Sequence, residues 1–298
     1  MADYVIGVDV GTQGTKAALV REDGSVVAEA FVPSRLIRPT PDRIEQDPEE
    51  MVGDCVTTIR AVMDQSGIDA GRIACLALAG QMAGILGVDS QGMAVIPYDS
   101  WLDQRCGSYW DRLRELGEDR IIELTGCPIT YAHGPKILWW KYREPEIYKQ
   151  ISAFVQPAVY AAMRLCGLKA DQAFIDYTYL HFSGFADTRN KRWSEELLAS
   201  AEVDPDKMPR IVRPYDIVGT ITEKMARAAR LRAGTPVAAG CGDTAASIFG
   251  AGVVRPGMAI DVSGSASVFA CAVDHFAPDI THRTILFAPS VIDGLYSP

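Results

Sequence analysis

The chain has 298 residues, of which 48% are hydrophobic and 22% charged, and its formal net charge is -9. That length allows about two domains and a core that needs no disulfide or metal staple. The acidic balance argues against nucleic-acid and anionic-membrane partners, which require clustered Lys and Arg, but allows an anionic small molecule held by backbone donors. Seven cysteines are scattered without a C-x-x-C pair, and four histidines fall into no metal spacing, so reduced, buried thiols are expected. The start, MADYVIGVDV, lacks a basic segment followed by a long apolar one, and no run of about 18 apolar residues occurs. Neither a signal peptide nor a membrane span is expected, which points to the cytoplasm.

In chain order, Tyr4–Val10 reads as a strand ending in Gly11-Thr12-Gln13-Gly14, followed at once by a second strand over 15–20. A polar turn at Arg21-Glu22-Asp23-Gly24 leads to a third strand over Val26–Phe31. Two antiparallel hairpins in the first thirty residues are unlike a dinucleotide-binding start, where a helix follows the first glycine turn. Residues 38–42 read as a loop. Asp47-Pro48 predicts an N-cap and first helical residue, with the helix running to about Gln65 and burying Met51, Val52, Cys55, Ile59 and Val62. Ile73–Ala79 is an apolar run that suits a buried strand, and it opens onto Gly80-Gln81-Met82-Ala83-Gly84.

A further strand with a Gln91-Gly92 turn leads to Tyr98-Asp99-Ser100-Trp101. Residues 104–126 and 135–165 read as helical, broken at Glu144-Pro145-Glu146. Thr235–Ala239 is another buried strand, opening onto Gly240-Cys241-Gly242-Asp243 and a helix from about Thr244 to Gly250. Residues 250–253 look like a hinge. Beyond them, Met258–Val262 and Ser267–Val273 read as strands joined at Ser263-Gly264-Ser265.

Three segments carry candidate chemistry. In the first, glycines let the backbone approach a ligand and successive N–H groups form an anion-binding concavity around Gly11, Thr12, Gln13, Thr15 and Lys16. Asp9, at the strand end, offers an oxygen ligand to a hydrated Mg²⁺. An ordinary glycine hairpin is the plainer account. In the second, Asp243 stands just before a helix start, where an N-cap is the plainer account and a free carboxylate in a polar turn the other. In the third, Gln81 and the segment Trp101-Leu102-Asp103-Gln104-Arg105 supply residue types that bond to hydroxyls or stack on a sugar ring. The alternative there is a core Trp101 and a surface Asp103–Arg105 pair.

Taken together, D-x-G-T, GQM-x-G, W-x-D-x-R and G-x-G-D-x-A-A in this order resemble the N-terminal half of the FGGY carbohydrate kinases, and xylulose kinases most closely. Ala132–Trp140, Glu144–Tyr148 and Ser263-Gly264-Ser265 add to the resemblance, which spans essentially the whole chain. It implies an α/β, actin-like ATPase (ribonuclease H-like) fold: a mixed sheet flanked by helices, with ATP and sugar meeting in an interdomain cleft. Residues 1–250 would form the first domain and 251–298 the start of the second. Asp243 would be the catalytic base, and Asp9 and Asp243 would hold Mg²⁺ through water. Gly11, Thr12, Gln13, Thr15, Lys16, Ser263, Gly264 and Ser265 would face phosphate. Gln81, Met82, Trp101, Asp103, Arg105 and Asp176 would line the sugar pocket beside Asp243.

The implied activity is transfer of the γ-phosphoryl of ATP to a ketose or polyol hydroxyl, with a homodimer left open. Two departures stand out. Xylulose kinases usually read GQMHG, and here Ala83 replaces the histidine. Members also carry a full C-terminal domain for adenine and ribose, so the resemblance implies a fragment or a truncated paralogue. A non-catalytic sensor and an actin-like structural ATPase are the competing functions.

Overall fold

The structure, a computed structural model, describes residues 4–263 and 267–298. It opens with three antiparallel strands, β1 (Tyr4–Val10), β2 (Gly14–Arg21) and β3 (Val26–Pro33), as the two tight turns predict. Alternation sets the faces: Ile6, Val8 and Val10 are buried on one side of β1, while Val5, Gly7 and Asp9 lie on the other. Helix α1 (Pro48–Ser66) begins where its signals say, with the Asp47 carboxylate accepting from the Glu49 and Glu50 amides and Pro48 in the first turn. Met51, Val52, Cys55, Ile59 and Val62 form its buried stripe and cover the inner face of the sheet.

Strand β4 (Ile73–Gly80) runs parallel to β1, and β6 (Pro236–Gly242) runs parallel to β4 on its other side. Strand β5 (Ile217–Thr220) closes the edge antiparallel to β6, which gives the order β5-β6-β4-β1-β2-β3. The fold class is therefore α/β with a mixed six-stranded sheet. Helix α2 (Pro157–Cys166) lies beside α1 in the same core, and α3 (Asp243–Gly250) leaves the end of β6 directly. Among the described residues no helix is long and apolar enough to cross a membrane.

Three local expectations change. Residues 38–42 are not a plain loop: Ile37–Thr40 pairs with Arg43–Gln46, which in turn pairs with Tyr98–Asp99. Pro39 is tolerated there because the strand is at an edge and its register is irregular. The helix expected over 104–126 is two, Gly107–Glu115 and Glu118–Thr125, split at Gly117 with φ 120°. The helix expected over 135–165 also breaks up, into His133–Arg143, Pro145–Gln150 and α2. Between the last two, Ala153–Val155 pairs with Leu86–Val88 as a buried strand, a long-range pairing that overrides local helical character.

Beyond α3, β7 (Ala259–Ser263) and β8 (Ser267–Cys271) form a separate hairpin. Residues 274–298 then lie against the first 250 residues. Phe287 N–H donates to the Gly126 carbonyl at 2.7 Å, Tyr177 Oη donates to the Val291 carbonyl at 2.9 Å, and Lys191 pairs with Asp293 at 2.5 Å.

One irregularity sets the site. Between the pairs Ala238–Ala77 and Cys241–Ala79, Ala239 and Gly240 stand opposite the single residue Leu78. The extra residue makes a bulge that keeps Gly242 level with Gly80 and so decides where the chain leaves the sheet. Gly240 has φ 74°, and a Cβ there would lie 1.7 Å from the Leu78 carbonyl oxygen. Left-handed backbone and a clash with backbone both act against any side chain, so Gly240→Ala should cost roughly 3 kcal/mol or more. Urea unfolding of the 298-residue chain measures it; a loss below about 1 kcal/mol would show that the bulge relaxes freely.

Candidate functional site

The central parallel strands end in one row, Val10 beside Gly80 beside Gly242. Ligands gather at the carboxyl ends of parallel strands, because the loops leaving them diverge and expose backbone and side chains. At that row Asp9 stands at the end of β1, Gln81 follows β4 and Asp243 follows β6. With one strand between them, β1 and β6 lie roughly 10 Å apart, near enough for two long-reaching carboxylates to share a ligand or a hydrated ion. Along the open face of the sheet a groove of about 340 Å³ reaches this end, lined by Asp9, Lys16 and the small residues Gly7, Ala18, Ala79 and Gly240.

Asp243 is not a helix cap. The N-cap of α3 is Gly242, and Asp243 is the first helical residue. Among the described residues its Oδ1 accepts from the adjacent Thr244, at 2.6 Å from the amide and 3.2 Å from the hydroxyl. Burial pushes its carboxyl up to about 6, against the pull of the Thr244 amide, and the negative charge of Asp9 adds to the rise. Asp9 is itself raised by burial, with Lys16 opposing. Lys16 is exposed and directly across the β1–β2 pair from Asp9. A carboxylate whose proton is held more tightly because of a second carboxylate nearby also favours a cation between the two.

The residues expected at the phosphate loop and at the sugar pocket are tied together by hydrogen bonds, and Gln81 among them is buried. The Trp101 indole N–H donates to Thr12 Oγ1 at 2.8 Å, Thr12 Oγ1 donates to Gln81 Oε1 at 3.0 Å, and Gln81 Nε2 donates to Gln46 Oε1 at 2.7 Å. Gln81 also donates its amide N–H to the Val10 carbonyl. Trp101 is 48% exposed, so it is no core residue, and its ring stands beside the loop. Met82 packs against Gly242, where a Cβ would come within 2.5 Å of its sulfur. Ala83 holds φ 61° in this turn, a left-handed conformation that costs a non-glycine residue on the order of 1 kcal/mol. Gly11 is half-buried and Gln13 exposed at the tip of the first hairpin, and the Gly11 N–H is taken up by the Gly14 carbonyl at 3.1 Å.

Four expected contact residues are placed elsewhere. Thr15 is fully buried under the hairpin. Asp103 is fully buried, its Oδ2 accepting from the Ile44 amide at 2.8 Å and its Oδ1 from Arg105 Nε at 3.0 Å. Arg105 is consumed by Asp103, Asp99 and Glu45, and its guanidinium stacks over Trp139 at 4.8 Å. The Asp103–Arg105 pair exists, but inside the protein rather than on its surface, and it braces the Trp101 loop. Asp176 is fully buried too, and its Oδ1 accepts from the Thr178 amide and hydroxyl. Ser263 ends β7, and Gly264 and Ser265 lie outside the described residues.

Several contributors carry no spacing signal. Gln46 is a buried amide just before the α1 cap; Lys136 is a buried ammonium that donates to the Ser100 and Asp103 carbonyls at 3.0 and 2.7 Å. Asp99 is pushed up to about 7, chiefly by burial, although Arg105 and Lys136 oppose the rise.

These strand-end carboxylates, the glycine hairpin and the amide-lined turn have a counterpart among known proteins. Residues 4–250 match the model of the FGGY family of carbohydrate kinases, N-terminal domain. The chain belongs to that family. Xylulose kinase of Escherichia coli is 31% identical over 273 residues, 91% of this chain and 54% of that one. Gluconokinase of Bacillus subtilis is 24% identical over 97% of this chain and 55% of its own. The crystal structure of xylulose kinase from Rhodospirillum rubrum superposes with a TM-score of 0.92 at 27% identity, covering 99% of this chain and 59% of that one. The actin-like FGGY fold is thus present, and the chain spans about half the length of the curated relatives it matches.

The paired carboxylates generate a prediction. Followed by ¹³C-carboxyl NMR, Asp243 should titrate with a midpoint of about 6 rather than in the ordinary aspartate range. Asp9→Asn removes a neighbouring negative charge, so the midpoint should fall. A midpoint unmoved by Asp9→Asn would mean that the two carboxylates do not sense each other.

Proposed function

We propose that this chain carries the sugar-binding and proton-abstracting half of an ATP-dependent kinase for a ketose or polyol. The observation that supports it most is Asp243: a strand-end carboxylate spared from capping, raised towards neutrality and facing Asp9 across the row of parallel strand ends. In this reading a substrate sugar lies against the exposed Trp101 ring with one hydroxyl beside Asp243, and the buried Gln81 braces that pocket through Thr12. Asp243 takes the hydroxyl proton as the oxygen attacks the γ-phosphorus of ATP, and the bond to the ADP oxygen breaks. The exposed side chains of Gln13 and Lys16 supply donors to the transferring group. The Thr12 hydroxyl, which gives its one proton to Gln81 and accepts from Trp101, holds the loop in place instead.

The donor set suits Mg²⁺. Among the described residues no three His, Cys, Asp or Glu side chains converge into a metal cage, and Mg²⁺ characteristically takes one or two carboxylates, water and substrate phosphate. Asp9 and Asp243 would hold it through water, and the ion would neutralise charge on the transferring phosphoryl. The relatives' names, xylulose kinase and gluconokinase, point to open-chain sugars and related acids as substrates. Because the chain spans about half of those relatives, a second reading is that these 298 residues bind sugar without transferring phosphate on their own. Calorimetry with sugars, run beside a phosphotransfer assay on this chain and on any longer natural form, separates the two.

Asp243→Ala should lower kcat by ~10²–10⁴-fold while leaving sugar Kd within about threefold. A variant that keeps more than about a tenth of wild-type kcat would remove Asp243 from the role of base. The acid limb of kcat/KM should lie at about 6, activity falling as pH drops and Asp243 takes up its proton.

Substrate preference is expected to turn on Ala83. D-xylulose should be a poor substrate relative to another ketose, polyol or sugar acid, because one missing neutral hydrogen bond costs ~0.5–1.5 kcal/mol. Ala83→His should raise kcat/KM for D-xylulose, and histidine tolerates the left-handed backbone observed there better than most residues. If D-xylulose is clearly the best substrate of the wild type, residue 83 does not select the sugar.

A further inference from the structure

Asp243 leaves the sheet from Gly242, whose position is held by more than its own strand. A short 3₁₀ helix, Tyr177–Phe182, follows the short strand Phe174–Asp176 and packs beneath the ends of β4 and β6. Its Thr178 is fully buried. The Thr178 hydroxyl donates to Asp176 Oδ1 at 2.5 Å and accepts the Gly242 N–H at 2.9 Å. The next residue, Tyr179, is equally buried, and its Oη lies 3.0 Å from the Gly80 carbonyl and 3.4 Å from that of Cys241. This short helix therefore grips both strand ends: Thr178 holds the amide just before the base, and Tyr179 holds the carbonyl just before Gln81.

The direction of these bonds matters. A hydroxyl has one proton to give, and the Asp176 carboxylate claims it, which leaves the Thr178 oxygen lone pairs facing Gly242. Asp176 thus fixes the hydroxyl as an acceptor. The first amides of a helix have no partner within it, so the turn entering α3 depends on outside acceptors for its geometry. Without this one, Gly242 is free to rotate and to carry the Asp243 carboxylate with it.

We propose that Thr178 is a positioning residue for Asp243, oriented by Asp176 and acting through the Gly242 amide. This rests on the reading of Asp243 as the base, and it places Asp176 and Thr178 behind the site rather than in contact with sugar.

The test pairs Thr178→Val, which keeps the shape but removes the hydroxyl, with Thr178→Ser, which keeps the hydroxyl. In the complete protein, Thr178→Val should lower kcat by about 10–100-fold, since a misplacement on the order of 1 Å can cost that much. The KM for sugar should stay within about threefold, and Thr178→Ser should recover kcat to within about threefold of wild type. In ¹⁵N-glycine-labelled protein, exchange of the Gly242 amide should quicken at least about tenfold in Thr178→Val and not in Thr178→Ser. If the valine variant does not fold, Thr178→Cys replaces it, because a thiol is a weak acceptor.

The proposal is overturned if the valine variant keeps kcat within about twofold. It is equally overturned if serine loses as much as valine, if the loss appears in KM alone, or if Gly242 exchange is unchanged. A wild-type protein that phosphorylates no sugar sinks the kinase reading instead. The hold on Gly242 then stands or falls on the exchange measurement alone.

Discussion

The parallel pairing of β1, β4 and β6 sets Val10, Gly80 and Gly242 in one row, and the side chains of the site hang from that row. Side chains alternate along a strand, so a one-residue slip in any of the three would exchange faces and turn Asp9 into the core. Large apolar residues on the α1 side, among them Ile6, Val8, Leu76 and Leu78, resist such a slip because it would bring them to the open face. The hydrophobic core thereby does indirect chemical work: it fixes the register, and the register fixes which carboxylates meet. The bulge at Ala239-Gly240 breaks the regular pairing of β4 with β6, and it ends three residues before Asp243. Bulges next to active sites re-aim side chains in this way.

Behind this row lies a buried ionic cluster, with Arg105 and Lys136 among Asp99, Asp103 and Glu45. Burying so many charges is a poor way to gain stability, since desolvation offsets most of the Coulomb attraction. Its geometry suggests what the cluster achieves instead. Arg105 and Lys136 together clamp Ser100, Asp103 and the strand ending at Asp99, which leaves the intervening Trp101 with little freedom. The Trp101 indole then reaches Thr12, whose hydroxyl continues the chain to Gln81 and Gln46. The Gly11–Gly14 turn and the Gln81–Gly84 turn are consequently one hydrogen-bonded unit, and a displacement at either end has to be accommodated at the other.

How much of this was legible in the sequence follows from the range of each interaction. Local rules served well: glycine turns gave the opening hairpins, and Asp47-Pro48 gave the start of α1 within a residue. The apolar runs at 73–79 and 235–239 also stood out as strands, because central parallel strands are apolar on both faces, and the structure has them at Ile73–Gly80 and Pro236–Gly242. What failed was whatever depends on a distant partner. Ala153–Val155 is a strand only because Leu86–Val88 lies beside it. Asp103 and Arg105 have the composition of a sugar site, and nothing in their spacing tells that Asp99, Glu45 and Trp139 close over them. Gln46 and Thr178 were invisible for the same reason: a polar residue in a short segment has no periodicity, and its role arises from the strand end it touches.

The turn at Gln81–Gly84 shows where the family's scaffold leaves room for choice. Its ends are tightly constrained, since a Cβ on Gly84 would lie 2.1 Å from Tyr98 Oη and Gln81 is tied to Val10, Thr12 and Gln46. Position 83 differs: it is half-buried and takes a left-handed backbone that alanine does not favour. Glycine would relieve that strain and histidine or asparagine would tolerate it better, so backbone preference does not account for alanine. Packing offers no compensation of its own, because a methyl group contributes little buried area. Neither backbone preference nor packing therefore explains alanine at this position, and under the proposed function its conformational cost would be offset in the bound sugar, the point that Ala83→His tests.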